Sequence, residues 1–204
     1  MIHPRVNGFD SAVEHAINGA AGHNALLDFV GILFGKYAPE IWVLIFIIIW
    51  FWPPYRQSRS RKAIVYAVAS GVLALVLNLI ITHFAPYRPR PFVMEPHTVT
   101  QLVSHARDSS FPSDHAAGSF GFATGLFYMS PAVGILGVVL AFIVAWGRVF
   151  VGVHWPTDVL FGGLVGIVSG LVILALRRQL EWLVGLAFWI FRVPKPRRRY
   201  RRSY

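Results

Sequence analysis

The feature that most limits what this chain can fold into is a series of apolar runs long enough to cross a bilayer. Ala63 to Phe84 is a full-length, predominantly apolar segment, and about 20 predominantly apolar residues suffice for a membrane-spanning helix. Further runs cover Pro39 to Trp52, Ser113 to Met129, Ala132 to Val151 and Pro156 to Leu176. The first is short but intensely apolar, with Trp42, Trp50 and Trp52 where aromatic belts form. Pro53-Pro54 stops it, and Ser130-Pro131 marks a turn between the third and fourth. The expected fold class is therefore an all-α integral membrane bundle of five transmembrane helices. A sixth span over Ala25–Gly35 is the alternative, but that stretch is too short alone. Residues 1–36 mix apolar side chains with Asp10, Glu14, His15, His23, Asn24 and Asp28, and are expected to form one or two amphipathic helices at the outer interface. Leu180–Phe191 reads as a further interfacial helix. The spacings around Gly162-Gly163, Gly166 and Gly170 suit close helix packing.

Composition agrees. Of 204 residues, 55% are hydrophobic and 14% charged, against about 25% charged in soluble domains, so much of the surface faces something other than water. The length suits a single domain, with a transmembrane core over 39–178 and a basic tail over 192–204. The absence of cysteine removes any disulfide framework or thiolate metal site. The net charge is +10, and seven of the last thirteen residues are Arg or Lys: Arg192, Lys195, Arg197, Arg198, Arg199, Arg201 and Arg202. On a soluble chain such a tail reads as a nucleic-acid arm. Beside apolar spans it reads as a juxtamembrane segment against anionic headgroups, with no nucleic-acid partner. No cleavable signal peptide is evident at the N-terminus. With the 55–62 loop, Arg177-Arg178 and the tail placed in the cytoplasm by the positive-inside rule, the 85–112 loop and the 152–155 turn fall together on the extracytoplasmic side.

Three polar clusters interrupt the chain, all on that side. In YRPRPF, residues 87–92, Arg88 and Arg90 are guanidinium forks that match phosphate oxygens; alone they equally suit anchoring a loop to headgroups. In SFPSDHA, residues 110–116, Pro112 and Ser113 start a helix whose free N–H groups favour anions, with His115 in the first turn. An ordinary cap with a solvent-facing histidine is the plainer alternative. In GRVFVGVHWPTD, residues 147–158, Arg148 ends one span, His154 lies in the turn and Asp158 follows four residues on. That carboxylate is expected to accept from one imidazole nitrogen of His154 and leave the other free to attack. Alternatively Asp158 merely complements the helix dipole.

Taken jointly, Arg90-Pro91, Pro112-Ser113-Asp114-His115 and Arg148-x5-His154-x3-Asp158 resemble the three-part signature of the type 2 phosphatidic acid phosphatase superfamily, which also includes the vanadium haloperoxidases. Two positions depart from it: His83 stands where the family usually has Lys, and Asp114 where it usually has Gly. Arg88 is a candidate to compensate for His83. The Ser-Asp-His form and the Arg-Pro-Phe-Val run at 90–93 are similar to the bacterial undecaprenyl-diphosphate phosphatase branch. The resemblance implies a membrane phosphatase with His154 as nucleophile, Asp158 orienting it and His115 as general acid and base. Arg90, Arg148, Ser113 and backbone near Asp114 would hold the phosphate, with Arg88 and His83 as further contacts and Glu95 and His97 as possible pocket residues. It implies no cofactor and no metal; the acidic residues are scattered. The substrate would be a lipid diphosphate, most simply undecaprenyl diphosphate in a bacterial inner membrane. Other lipid phosphates, and a non-catalytic lipid carrier, are the rivals.

Overall fold

The computed structural model describes residues 6–52 and 58–193. The basic tail beyond Val193 and residues 53–57 of the basic loop lie outside the described residues. Among them the apolar runs become helices: α1 (Gly8–Asn18), α2 (Ala25–Lys36), α3 (Ala38–Phe51), α4 (Ser58–Phe84), the short α5 (Pro91–Met94), α6 (Asp114–Leu126), α7 (Pro131–Phe150), α8 (Pro156–Ala175) and α9 (Glu181–Ile190). The chain is an all-helical, multi-pass membrane protein. By length and composition α4, α7 and α8 can each cross a bilayer, while α2 and α3 qualify only as one pair bent by 73°. The expected five spans correspond to α3, α4, α6, α7 and α8, but α3 has 14 residues and α6 has 13, so those two fall short on length.

α6 is short because it is central. Ten of its thirteen residues are buried, enclosed by α4, α7 and α8 rather than by lipid. Small residues make this possible. A Cβ on Gly166 of α8 would sit 2.3 Å from the Ala117 carbonyl oxygen of α6, and one on Gly125 would sit 2.4 Å from Ala67 Cα of α4. The glycines therefore set helix approach, as expected for bundles packed without a hydrophobic drive. Large apolar side chains such as Leu79, Leu136 and Leu160 point outward, a surface suited to acyl chains and not to water.

The two ends of the bundle differ. At one, Lys62 pairs with Glu181 at 2.7 Å, and the Tyr66 hydroxyl donates to the Arg177 carbonyl at 3.1 Å, fastening α9 to α4. The other end gathers the 85–113 loop, the N-termini of α6 and α8 and the C-terminus of α7, so all three polar clusters meet there.

The N-terminal helices are not simple interfacial elements. The polar stripe of α1 faces inward: Asp10, Glu14 and Asn18, spaced four apart, are buried, while Phe9 is exposed. The reason is the loop beneath, whose peptide groups need partners. Asn18 accepts from Thr100 N at 2.8 Å and donates to the Thr100 and Phe150 carbonyls, each at 2.8 Å. α2 likewise packs on α7, where a Cβ on Gly35 would meet the Gly147 carbonyl at 2.7 Å.

Glu14 is the unresolved member of this stripe. Both its carboxylate oxygens are buried without a hydrogen-bond partner. Burial pushes its carboxyl up to about 7, with His15 lowering it and Glu95 raising it. An acid whose pKa is higher folded than unfolded destabilises the native state as pH rises through that interval. Glu14→Gln is therefore expected to raise the Tm in detergent by about 2–5 °C at pH 8. The gain should shrink as pH falls towards 5; an equal gain at both pH values would count against this origin.

Candidate active site

Backbone contacts knit the three clusters. The Trp155 indole, fully buried, donates to the Pro89 carbonyl at 2.9 Å, Ser110 N donates to the Arg88 carbonyl at 2.8 Å, and Ser113 N donates to the Asp158 carbonyl at 3.1 Å. Gly152 turns the chain out of α7 with a φ of +76°, a left-handed conformation that glycine adopts without strain. A side chain there would strike the Thr100 carbonyl.

His154 lies in this turn, 3% exposed. Its Nδ1 is 2.8 Å from the Ser110 carbonyl oxygen, which can only accept, so Nδ1 carries the proton. Nε2 is then a bare lone pair, 3.3 Å from Nη1 of Arg90, which donates to it. Burial, with Arg148 and Arg90 nearby, holds the imidazole well below the usual histidine range. A neutral ring with Nε2 unprotonated is the form a nucleophile requires.

The expected partner of Nδ1 needs correction. Asp158 Oδ2 is 3.6 Å from it, outside hydrogen-bond range. That oxygen instead caps α8 by accepting from Trp155 N at 2.9 Å. The spacing of four suggested a direct hydrogen bond from the turn to the first turn of α8, but extended Trp155 (φ −75°, ψ 153°) separates the two. His154 is thus not on the helix, and a carbonyl fixes its tautomer.

Arg90 is 4% exposed. It donates to Asp108 Oδ1 at 2.9 Å, the Val153 carbonyl at 2.8 Å and the Ser109 carbonyl at 3.2 Å, which aims its fork at His154. Burial opposes ionisation of Asp108, but the Arg90 hydrogen bond outweighs it and holds that carboxyl below its usual range. Arg148, also buried, donates to the Gly35 carbonyl at 2.6 Å and leaves Nε without a partner. Ser113 caps α6. Asp114 accepts from Asn78 of α4 at 2.9 Å. His115 lies in the first turn of α6, within electrostatic reach of His154 and Arg148. It opens on a cleft of about 180 Å³ with Trp42, Leu75 and Phe122 in its wall.

Four expected contacts lie elsewhere. Arg88 turns away from His154: it donates to Thr157 Oγ1 at 2.7 Å, to Asp158 Oδ1 at 2.6 Å and to Asp10. His83 is exposed near the end of α4, its ring against Phe84. Glu95 is bound to His15 at 2.5 Å, and His97 is exposed; neither lines the cleft. Among the described residues no group of three or more His, Asp or Glu could hold a metal ion.

The arrangement brings a neutral imidazole, two buried guanidiniums and a helix N-terminus together at one end of the bundle. Residues 62–182 match the family model of the PAP2 superfamily. The chain belongs to the PAP2 superfamily. It is a phosphatase of that superfamily. It is 34% identical to the undecaprenyl-diphosphatase BcrC of Bacillus subtilis, over 86% of this chain and 88% of that one. It is also 34% identical to an undecaprenyl-diphosphatase of Sulfolobus acidocaldarius, over 70% of this chain and 66% of that one. The crystal structure of Aquifex aeolicus LpxE shares the fold, with a TM-score of 0.68 at 24% identity, covering 86% of this chain and 99% of that one.

Several residues of this PAP2 site escaped sequence reasoning. Ser110 acts through its carbonyl, which leaves no side-chain signal. Asn78 lies mid-span, and a polar residue at that depth was the available clue. His105, whose ring lies 6.3 Å from that of His154, and Asp108 were hidden in a loop. Asp10 belongs to a stripe legible by its spacing of four, although not by what it faces.

Proposed function

We propose that this PAP2 phosphatase hydrolyses a polyprenyl diphosphate, undecaprenyl diphosphate above all, to the monophosphate at the extracytoplasmic face of a bacterial inner membrane, through a phosphohistidine on His154. The observation that carries the reading is the tautomer: with Nδ1–H bound to Ser110, the Nε2 lone pair faces Arg90. The incoming terminal phosphate would take over the Arg90 donor, with Arg148 and the α6 N-terminus on its other oxygens. These groups neutralise charge in a loose transition state. Nε2 forms a bond to phosphorus as the bond to the bridging oxygen breaks. His115 would give that oxygen a proton, so the lipid monophosphate leaves. A water then attacks the phosphohistidine, yields its proton to His115 and releases inorganic phosphate. The similarity to named undecaprenyl-diphosphatases supports the choice of lipid, and exposed apolar side chains such as Leu79 and Leu160 support access from within the bilayer.

Phosphate release from undecaprenyl diphosphate, phosphatidic acid, phosphatidylglycerol phosphate and a lipid A phosphate should be compared in one detergent, with and without EDTA. The expected result is the highest kcat/KM for undecaprenyl diphosphate, unchanged by chelation. Preference for another lipid reassigns the substrate. Loss on EDTA with recovery on magnesium overturns the mechanism.

A further inference from the structure

We propose that Asp10, on the N-terminal helix and outside the matched family region, is a positioning residue of this site: it locks the Arg88 fork and the first turn of α8 so that Asp158 stays beside His154. The inference rests on the phosphatase reading of the same site.

The argument begins with the helix end. The first N–H groups of a helix lack partners within it. In α8 the first residue is Pro156, which has no N–H, so Thr157 carries the first free donor. That donor goes to Oδ1 of Asp10, at 2.8 Å and 147 residues away in sequence. A fully buried carboxylate from α1 thus caps α8 in trans. Its other oxygen accepts from the Thr157 hydroxyl at 2.7 Å, from Asn7 Nδ2 at 2.7 Å and from Arg88 Nη2. The Thr157 hydroxyl, donating to Asp10, accepts from Arg88 Nη1. The same Nη1 reaches Asp158 Oδ1 at 2.6 Å. Asp10 and Asp158 therefore share one guanidinium, with Thr157 fixing its roll. Burial opposes the charge on Asp10, but hydrogen bonds from Thr157 and Arg88 outweigh it and hold the carboxyl below its usual range.

The consequence for the reaction lies in Asp158. Its Oδ2 stands 3.6 Å from His154 Nδ1. As phosphorus bonds to Nε2 the ring becomes cationic, and a carboxylate at that distance stabilises it electrostatically. The benefit arises in the transition state and not on substrate binding, so its loss lowers kcat rather than raising KM. Asp10 touches neither ring nor phosphate; it acts through Arg88.

Asp10→Asn is the direct test. Its amide can still accept from Thr157 N, but it presents N–H to Arg88. In detergent, on a lipid phosphate that the unaltered enzyme turns over, kcat is expected to fall by about 10–100-fold with KM changed less than about threefold. A double-mutant cycle with Arg88→Gln separates positioning from general structure. If Asp10 acts through Arg88, the double variant loses no more than Arg88→Gln alone; losses that multiply overturn the proposal. Should Asp10→Asn not elute as a folded protein, Thr157→Val removes only the bridging hydroxyl. It should lower kcat about tenfold, and Thr157→Ser should restore it; a Thr157→Val enzyme at the normal rate overturns the proposal. An unaltered enzyme that releases no phosphate from any lipid overturns the phosphatase reading itself, whereas normal turnover by Asp10→Asn overturns this inference alone.

Discussion

Replacing His154 with alanine is expected to reduce phosphate release by about 10⁴-fold or more and to abolish the acid-labile phosphoenzyme, while the protein still elutes as a folded species in detergent. The loss is large because no neighbouring group can take over the attack. Ser110 presents a carbonyl, Arg90 and Arg148 are cations, and Asp158 already accepts from Trp155 N and Arg88. Removing a nucleophile disables the whole constellation, so the residual rate reports only binding and charge stabilisation. Folding should survive because the turn is held without the imidazole. Arg90 keeps Asp108 and two carbonyls, and the Trp155 indole keeps Pro89. Phosphate release in detergent with a quench that preserves phosphohistidine measures both outcomes. A near-normal rate would remove His154 from the mechanism.

Arg90→Ala should produce the second largest effect, a fall in kcat of about 10³-fold, equivalent to about 4 kcal/mol of transition-state stabilisation. In the resting enzyme Arg90 donates to the lone pair of His154 that must attack. It therefore marks where a phosphate oxygen sits when substrate replaces that contact. Arg90→Lys should recover little. Lysine keeps the charge but cannot reach Asp108, Val153 and Ser109 while addressing His154, because it lacks the planar fork. A lysine variant with most of the activity would show that charge alone is used at this position.

The helices were legible because span length and proline punctuation are local properties, and the three clusters were legible because charged side chains stand out in apolar sequence. What stayed hidden depended on backbone direction. Arg88 and Arg90 looked equivalent in YRPRPF. Arg90 has an extended, polyproline-like backbone (φ −71°, ψ 155°), and with about three residues per turn two positions apart cannot face the same way. One reaches His154 and the other Asp158. The spacing of His154 and Asp158 suggested a direct hydrogen bond, but extended Trp155 leaves the ring 3.6 Å from the carboxylate. The α1 stripe was visible as amphipathic, yet its inward sense followed from unpaired groups contributed by Thr100, Phe150 and Thr157, far along the chain.

That last separation bears on how the enzyme comes into being. Asp10 precedes Thr157 by 147 residues, and Thr157 opens the last of the long helices among the described residues. The cap that Asp10 places on α8 cannot close until α8 itself has been inserted, so this part of the site assembles late. A nascent chain arrested before α8 lacks Thr157 and Asp158, the two residues through which Asp10 holds the site. Enzyme inserted only as far as α7 therefore lacks this support, and full hydrolytic competence doubles as a report that α8 has docked against α1.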